Sequence, residues 1–242
     1  MSNNLPLLPT LILSNCFDKK MLNEAKQEIA GCGKSFPYVH PHEGVNFGKT
    51  LSVRTVWDPK KDKHITDKIL SQLPREVTQN LLVEINFHLQ SFYPYDIHCD
   101  CGWLKLAEDE SPYYLIIIPL ESVEAKTVVL NQTSHGLHFI DYKNDTNVLS
   151  ESERISDNDF ETYFSHCWPQ EKSYISVNQV FNWAAGDALM LDMRYFHSSD
   201  NYRKNNVVEK NCITLMTKIK TENFLHNLQN SEKLQNLAVP SA

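Results

Sequence analysis

The sequence predicts a mainly β domain, a sandwich or barrel of short strands with helices packed on one side. Three observations predict it. Helical periodicity lies before about residue 80, short strand patterns follow from about 81 to 220, and one polar insertion at about 132–172 interrupts them. A chain of 242 residues fits one large domain or two small ones and is long enough for a substantial core. We therefore expect a single domain over 1–242, with an N-terminal helical portion at about 1–80 and a core at about 81–220.

The N-terminal portion contains three predicted helices. From Asp18 to Ala30 the apolar residues recur at helical spacing, with Asp18 suited to cap the helix and Gly31 suited to end it. Residues 65–73 show a second helical pattern. A third helix is expected to begin near Arg75.

The strand patterns follow in order along the core. Residues 82–94 and 174–183 alternate between apolar and polar side chains, as half-buried strands do, whereas Tyr113–Leu120 is continuously apolar. Further strands are expected at 127–132, 187–193 and 211–220. The polar insertion is expected to hold a short helix around "DNDFETYF", and long insertions of this kind often cover a site.

Composition and charge exclude several classes of protein. The formal charge of −7 argues against a nucleic-acid binder that works through a general basic surface. The N-terminus has no basic segment followed by a cleavage site, so it does not resemble a signal peptide. The longest apolar run, Tyr113–Leu120, is too short to span a bilayer. We expect a cytoplasmic protein with reduced cysteines and neither a nucleic-acid nor a membrane partner.

The stretch "YDIHCDC" at residues 95–101 places four metal-binding side chains next to one another. In an extended strand, alternate residues share a face, so His98 and Asp100 point one way and Cys99 points the other. A zinc site formed by His98, Cys99 and Cys101 is the alternative. It is the weaker one, because no second Cys/His pair stands at zinc spacing.

A third ligand must come from a distant strand. The candidates are His135, His138, His166 and His197. His197 has the most suitable surroundings, because a Gly-Asp turn starts an apolar strand and this histidine follows at its far end. Two histidines and one carboxylate form the facial triad of non-haem Fe(II) oxygenases, which leaves coordination positions open. His135 and His138 could also form a second metal pair, but they are more simply loop residues.

In this order of motifs the chain resembles the 2-oxoglutarate- and iron(II)-dependent dioxygenases, in particular their prolyl-hydroxylase-like and phytanoyl-hydroxylase-like members. The resemblance covers about 81–220 and includes "FYPYDIHCD", "YYLIIIPLE", "TVVLNQ", "GDALMLDMRYFHSSDN" and "KNCITLMTK". It implies a double-stranded β-helix, or jelly roll, of the cupin-like type. It also implies that His98, Asp100 and His197 bind Fe(II), with 2-oxoglutarate and O2 as cosubstrates.

The same resemblance implies a basic residue that binds the far carboxylate of 2-oxoglutarate. Arg203, Lys204, Lys210 and Lys218 are candidates. The family pattern basic-x-x-apolar-Thr matches "KNCIT", so Lys210 with Thr214 is preferred, and Arg203 is the second choice. Tyr93 is expected to help hold 2-oxoglutarate.

The implied activity is hydroxylation of a small-molecule or of an amino-acid or peptidyl substrate, with release of succinate and CO2. Asp100 argues against halogenation, because related halogenases lack this carboxylate. One alternative is a cupin-like metal-binding or sensing protein without turnover, in which Lys210 would point away from the metal. Another is an interaction module in which the three predicted ligands lie far apart. Neither the substrate nor the oligomeric state can be inferred from the sequence.

Overall fold

The computed structural model describes residues 7–39, 48–79, 81–100, 113–134 and 148–219. Its strands are β1 (Leu11–Leu13), β2 (Lys34–Val39), β3 (Thr50–Val56), β4 (Leu81–Ser91), β5 (Tyr113–Pro119), β6 (Lys126–Thr133), β7 (Val177–Asn182), β8 (Ala188–Asp192), β9 (Tyr195–Ser199) and β10 (Lys210–Ile219). Its α-helices are α1 (Lys19–Cys32), α2 (Lys63–Leu70), α3 (Arg75–Thr78) and α4 (Asp157–Phe164). Within these ranges, no helix is long and apolar enough to cross a membrane.

The strands form two antiparallel sheets. The large sheet has the order β1-β8-β5-β10-β4-β3-β2, and the small sheet has the order β7-β6-β9. A backbone bridge between His98 and His197 adds the segment after β4 to the free side of β9. From β4 onward the chain therefore passes repeatedly from one sheet to the other. This path is that of a jelly roll, as the sequence predicts.

Three hydrophobic clusters hold these layers together. The central one lies between the sheets and joins Leu115 and Leu191 of the large sheet to Val129 and Phe181 of the small one. A second cluster packs α1 and α2 on the outer face of the large sheet. A third packs α4 against the outer face of the small sheet. Because the helices pack on the outer faces, the space between the two inner faces can hold a cavity where polar side chains line it.

Helix α1 confirms the sequence prediction closely. Its buried residues are the four apolar positions predicted from the periodicity, Met21, Leu22, Ala25 and Ile29. The Asp18 side chain accepts a hydrogen bond from the backbone N–H of Met21 at 2.7 Å, which satisfies one donor of the first turn. The helix ends one residue beyond the predicted Gly31, at Cys32.

The N-terminal portion is less helical than predicted. Strands β1, β2 and β3 lie inside residues 1–80 and extend the large sheet, with β3 pairing directly with β4. Strand β3 is rich in β-branched residues, which favour extended backbone. Strand β2 contains Pro37, which an edge strand tolerates, and β2 is the last strand of the large sheet among the described residues.

The predicted turn before β8 is present and needs its glycine. Gly186 has φ +99°, and a Cβ added there would lie 2.7 Å from the carbonyl oxygen of Phe17. The carbonyl of Gly186 accepts hydrogen bonds from the backbone N–H groups of Cys16 and Phe17. The turn therefore connects the start of β8 to the segment that leads into α1. The short helix predicted in the polar insertion is α4, which spans the eight predicted residues.

Candidate functional site

Three of the predicted metal ligands meet at the inner face of the small sheet. His98 and Asp100 lie in the segment after β4, and His197 lies in the middle of β9. The backbones of the two histidines exchange hydrogen bonds, with His98 N to His197 O at 3.0 Å and the reverse at 2.8 Å. One ligand atom from each of the three side chains lies within 4.8 Å of the other two. The interaction-module alternative requires these residues to lie far apart, and they do not.

The histidine rings are oriented by backbone carbonyls. Nδ1 of His98 is 2.7 Å from the carbonyl oxygen of Asp96, and Nδ1 of His197 is 3.2 Å from that of Tyr195. A hydrogen bond from Nδ1–H leaves Nε2 as the ring nitrogen with a lone pair, which is the usual arrangement of a metal-binding histidine. His197 Nε2 lies 3.5 Å from Oδ2 of Asp100, so the lone pairs converge on one region.

Asp100 carries the negative charge of this group. Burial raises the pKa of this carboxyl, but electrostatic attraction by His197, and then by His98 and Arg54, outweighs that effect, so that the net pKa lies well below its ordinary value. Asp100 is thus ionised across the physiological pH range. An ionised carboxylate beside two imidazole nitrogens is a donor set suited to a divalent transition metal.

Lys210 begins β10 and lies on the wall of the same cavity. Its side chain is 2% exposed, and Nζ lies 4.0 Å from the centre of the Trp183 ring and 5.0 Å from that of Tyr202. The Trp183 indole is held in turn by a hydrogen bond from Nε1 to Thr127 Oγ1 at 2.9 Å. Burial lowers the pKa of Lys210 to about 8, and the nearby charge of Asp200 opposes that effect. Lys210 is therefore a buried, mainly protonated cation at neutral pH.

One cavity contains the three converging side chains and Lys210. It has a volume of about 570 Å³ including its open mouth. It runs between the two sheets, and most of its apolar wall comes from β4, β5 and β10. The described residues that line it are Arg54, Phe87, Leu89, Ser91, Tyr95, His98, Asp100, Leu115, Ile117, Thr127, Trp183, His197, Ser198, Ser199, Lys210, Cys212 and Thr214.

The structure separates the candidates for the basic residue. Lys210 and Thr214 share a strand face and both line the cavity, as their parity predicts. Arg203 does not line it, since its side chain is exposed and donates a hydrogen bond to the carbonyl of Val208 at 2.8 Å. Lys204 is exposed and forms an ion pair with Glu161. Lys218 lies at the far end of β10, outside the lining.

The position of Tyr93 differs from the prediction. Its ring lies between Lys49 and Arg203, 4.8 Å and 5.2 Å from their charged groups, and it does not line the cavity. Strand β4 ends at Ser91, so parity along the strand no longer determines where Tyr93 points. Tyr95, two residues further on, lines the cavity instead.

The remaining metal-binding alternatives are answered in part. The buried Cys99 packs in the hydrophobic cluster behind the small sheet, so it does not share the site with His98. His166 is buried behind Tyr95, with Nε2 3.0 Å from the Tyr95 carbonyl oxygen, and burial lowers its pKa to about 4. It is a neutral support of the Tyr95 backbone. Cys101, His135 and His138 lie outside the described residues.

The cavity lining includes residues that the sequence prediction did not assign to the site, and Tyr95 and Arg54 are two of them. Tyr95 belongs to an aromatic run that suggests core packing as readily as a cavity wall. Arg54 lies on β3, in a portion of the chain where only helices were predicted. A signal for β3 does exist, because "TLSVRTV" is rich in β-branched residues, but Arg54 has no sequence signal that distinguishes a cavity residue from an exposed one.

Comparison with solved structures identifies the fold as the double-stranded β-helix of non-haem enzymes that depend on α-ketoglutarate (2-oxoglutarate). The epimerase SnoN from nogalamycin biosynthesis superposes with a TM-score of 0.54 at 12% identity, over 97% of this chain and 87% of that one. The carbocyclase SnoK from the same biosynthesis gives 0.55 at 11% identity, over 87% and 79%. At these identities the likeness establishes the fold. The sequence matches none of the family models and none of the curated proteins compared with it.

Proposed function

We propose that the chain is an Fe(II)- and 2-oxoglutarate-dependent oxygenase, folded as one domain over residues 1–242. The observation that carries the proposal is that His98, Asp100 and His197 converge in the cavity that also contains the buried cation of Lys210. A neighbour with the same fold supports it. SnoN in complex with Fe3+, α-ketoglutarate and nogalamycin RO superposes with a TM-score of 0.52 at 13% identity, over 92% of this chain and 86% of that one.

The donor set fits iron. Two imidazole nitrogens and one carboxylate oxygen on one side of an ion leave positions open for a bidentate cosubstrate and O2. The 3.5 Å between His197 Nε2 and Asp100 Oδ2 is close to the separation of neighbouring ligands whose bonds to a metal are roughly 2 Å long. His98, Asp100 and His197 would hold the metal. When bound, the metal and 2-oxoglutarate would couple oxidative decarboxylation, which yields succinate and CO2, to oxidation of a C–H bond.

Lys210 would bind the distal carboxylate of 2-oxoglutarate. Its ammonium group is a compact cation that the walls of the cavity keep away from bulk water, so its attraction for a carboxylate is screened little. Thr214, on the same strand face, would donate a hydrogen bond to that carboxylate. Trp183 and Tyr202 would keep the ammonium group in position through their ring faces.

The apolar wall would exclude water from the reacting centre. Phe87, Leu115 and Ile117 line the cavity from the large sheet, and all three are largely buried. Exclusion of water strengthens the electrostatic contacts inside the site and limits side reactions. We propose hydroxylation as the reaction and a small molecule, or an amino acid or peptide, as the substrate, with no nucleic acid or membrane as partner. The filled carboxylate position at Asp100 supports hydroxylation over halogenation.

The second candidate function is a cupin-like metal-binding or sensing protein without turnover. That alternative predicts a Lys210 side chain that points away from the metal. The side chain lines the metal-site cavity instead, which favours the oxygenase.

Succinate formation from 2-oxoglutarate tests the proposal. The purified protein would be incubated with Fe(II) and 2-oxoglutarate, and the His98→Ala variant would serve as the matched control. We expect succinate from the wild-type protein, either with a substrate panel or as slow uncoupled turnover, and none above background from the variant. If the wild-type protein binds neither the metal nor 2-oxoglutarate, the proposal is wrong.

A further inference from the structure

A second cation, Arg54, lines the cavity some distance from Lys210. Arg54 on β3 pairs with Leu89 of β4, whereas Lys210 on β10 pairs with Ser91 of β4. The two residues are therefore separated by two strand spacings across the sheet and by two residues along β4, which places their Cα atoms roughly 12 Å apart. At this separation each cation can hold a different anionic group.

Aromatic rings fix the guanidinium of Arg54. Its Cζ atom lies 5.0 Å from the centre of the Tyr38 ring and 5.3 Å from that of Phe87, and its positive charge interacts with the Tyr95 hydroxyl. Tyr95 also forms a hydrogen bond with Ser52 on the same strand as Arg54. Contacts with rings and a hydroxyl orient the planar group and leave its charge unchanged. Such an arrangement is pre-organised for a ligand, because little conformational entropy remains to be lost on binding.

A row of rings connects Arg54 with the three converging side chains. Tyr38 stacks on Tyr95 with ring centres 5.7 Å apart and planes inclined by 13°. The centre of the Tyr95 ring lies 5.6 Å from that of the His98 ring, and the centre of the His98 ring lies 4.6 Å from that of the His197 ring. Tyr95 and the two imidazoles of this row line the cavity, so a molecule held at Arg54 would extend past Tyr95 toward the proposed metal.

More cationic than anionic side chains line the described part of the cavity. In the described part of the lining, Arg54 and Lys210 are cations and Asp100 is the carboxylate. In the proposed function Asp100 binds the metal, and Lys210 binds the distal carboxylate of 2-oxoglutarate. Arg54 has no role in either interaction, although its charge faces the same space.

We propose that Arg54 binds a carboxylate of the substrate, so that the substrate is a small organic acid whose flat or apolar body lies along Tyr95, which lines the cavity. A guanidinium matches a carboxylate because two parallel N–H groups meet its two oxygens. A single cation of this kind suits a monoanion better than a phosphate dianion. The assignment of the acid as substrate rests on the proposed function, whereas its binding at Arg54 does not.

Equilibrium binding of acid and amide pairs tests the inference. The probes are benzoate, phenylacetate and 3-phenylpropanoate, each compared with its primary amide, which has the same shape without the charge. Binding is measured by calorimetry on the full chain, both alone and loaded with Mn(II) and 2-oxoglutarate. We expect at least one acid to bind about tenfold to hundredfold more tightly than its amide, as expected for a charge-assisted hydrogen-bonded pair.

Variants at Arg54 locate the interaction. Arg54→Gln should abolish the preference for the acid, Arg54→Lys should retain part of it, and both should bind 2-oxoglutarate within about twofold of wild type. Arg203→Gln, which changes a cation outside the cavity, should leave the preference unchanged. Lack of any acid preference in the wild-type protein overturns the inference, and so does a preference that survives in Arg54→Gln. If Arg54→Gln instead weakens 2-oxoglutarate binding, Arg54 belongs to the cosubstrate site and the inference is also wrong.

The two proposals fail separately. Succinate production without acid preference refutes the role of Arg54 and leaves the oxygenase intact. Acid preference in the chain alone, without any binding of metal or 2-oxoglutarate, supports the carboxylate site and refutes the oxygenase.

Discussion

Replacing Lys210 with methionine should have opposite effects on stability and on 2-oxoglutarate affinity. Burial lowers the pKa of Lys210 from 10.5 to about 8, which corresponds to about 3 kcal/mol at roughly 1.4 kcal/mol per tenfold change. At pH 7 the lysine is protonated in both folded and unfolded chains, so the folded state carries this cost. Methionine fills a similar volume without a charge. In the absence of 2-oxoglutarate, Lys210→Met should therefore raise the free energy of unfolding by up to about 3 kcal/mol.

The same substitution should weaken the binding of 2-oxoglutarate. Removing one partner of a buried charge pair typically costs about 2–5 kcal/mol, which is roughly thirtyfold to several-thousandfold in Kd. Part of that cost is the desolvation of a ligand carboxylate that no longer meets a cation. The cavity of Lys210→Met still contains Asp100, whose negative charge opposes a second anion.

Urea unfolding of the ligand-free protein and calorimetric titration with 2-oxoglutarate in the presence of Mn(II) measure the two effects. Arg203→Met is the matched control, because Arg203 is the other basic residue favoured by the sequence and it lies outside the cavity. That variant should change neither quantity by much. The proposed role of Lys210 is wrong if Lys210→Met binds 2-oxoglutarate as tightly as wild type, or if Arg203→Met loses the binding.

Three further predictions follow from single features of the structure. His197→Ala should weaken Mn(II) binding without changing the circular dichroism spectrum. The loss should exceed the roughly 10–100-fold that follows when a residue hydrogen-bonded to a metal ligand is removed, and calorimetry showing unaltered affinity would contradict this. Because Lys210 loses its proton above about pH 8, the Kd for 2-oxoglutarate should be flat near pH 7 and rise about tenfold per pH unit well above pH 8; a flat profile to pH 10 would contradict it. Asp18→Ala should cost about 1 kcal/mol and lower Tm by a few degrees without changing 2-oxoglutarate affinity, because it removes only the cap of α1.

The sequence predicts the parts of this fold that depend on local pattern. The burial of Met21, Leu22, Ala25 and Ile29 follows from helical periodicity, since one face of a surface helix must pack on the sheet. His98 and Asp100 share a face by strand parity. Their meeting with His197 could be expected only through the resemblance to a known family, because no local rule predicts which distant strand will be a neighbour.

The remainder could not be predicted because tertiary pairing decides it. Strand β2 contains a proline and is largely exposed, and its structure depends on hydrogen bonding to β3 rather than on its own sequence. Tyr95 lines the cavity where Tyr93 was predicted to do so, and this difference has a similar cause. The two tyrosines follow the end of β4, where the backbone leaves the sheet and alternation no longer determines side-chain direction.

The division of the chain between chemistry and recognition follows from this topology. Strand β9 of the small sheet holds His197, the segment beside it holds His98 and Asp100, and strand β10 of the large sheet holds Lys210. These elements lie within residues 81–220, where the sequence resembles a known family. Arg54 lies on β3, outside that portion, yet it shares the cavity because β3 pairs with β4 in register. Under the proposed role of Arg54, changes in β2 and β3 would alter which molecule is bound without moving His98, Asp100 or His197, so we expect substrate specificity to depend on these added strands.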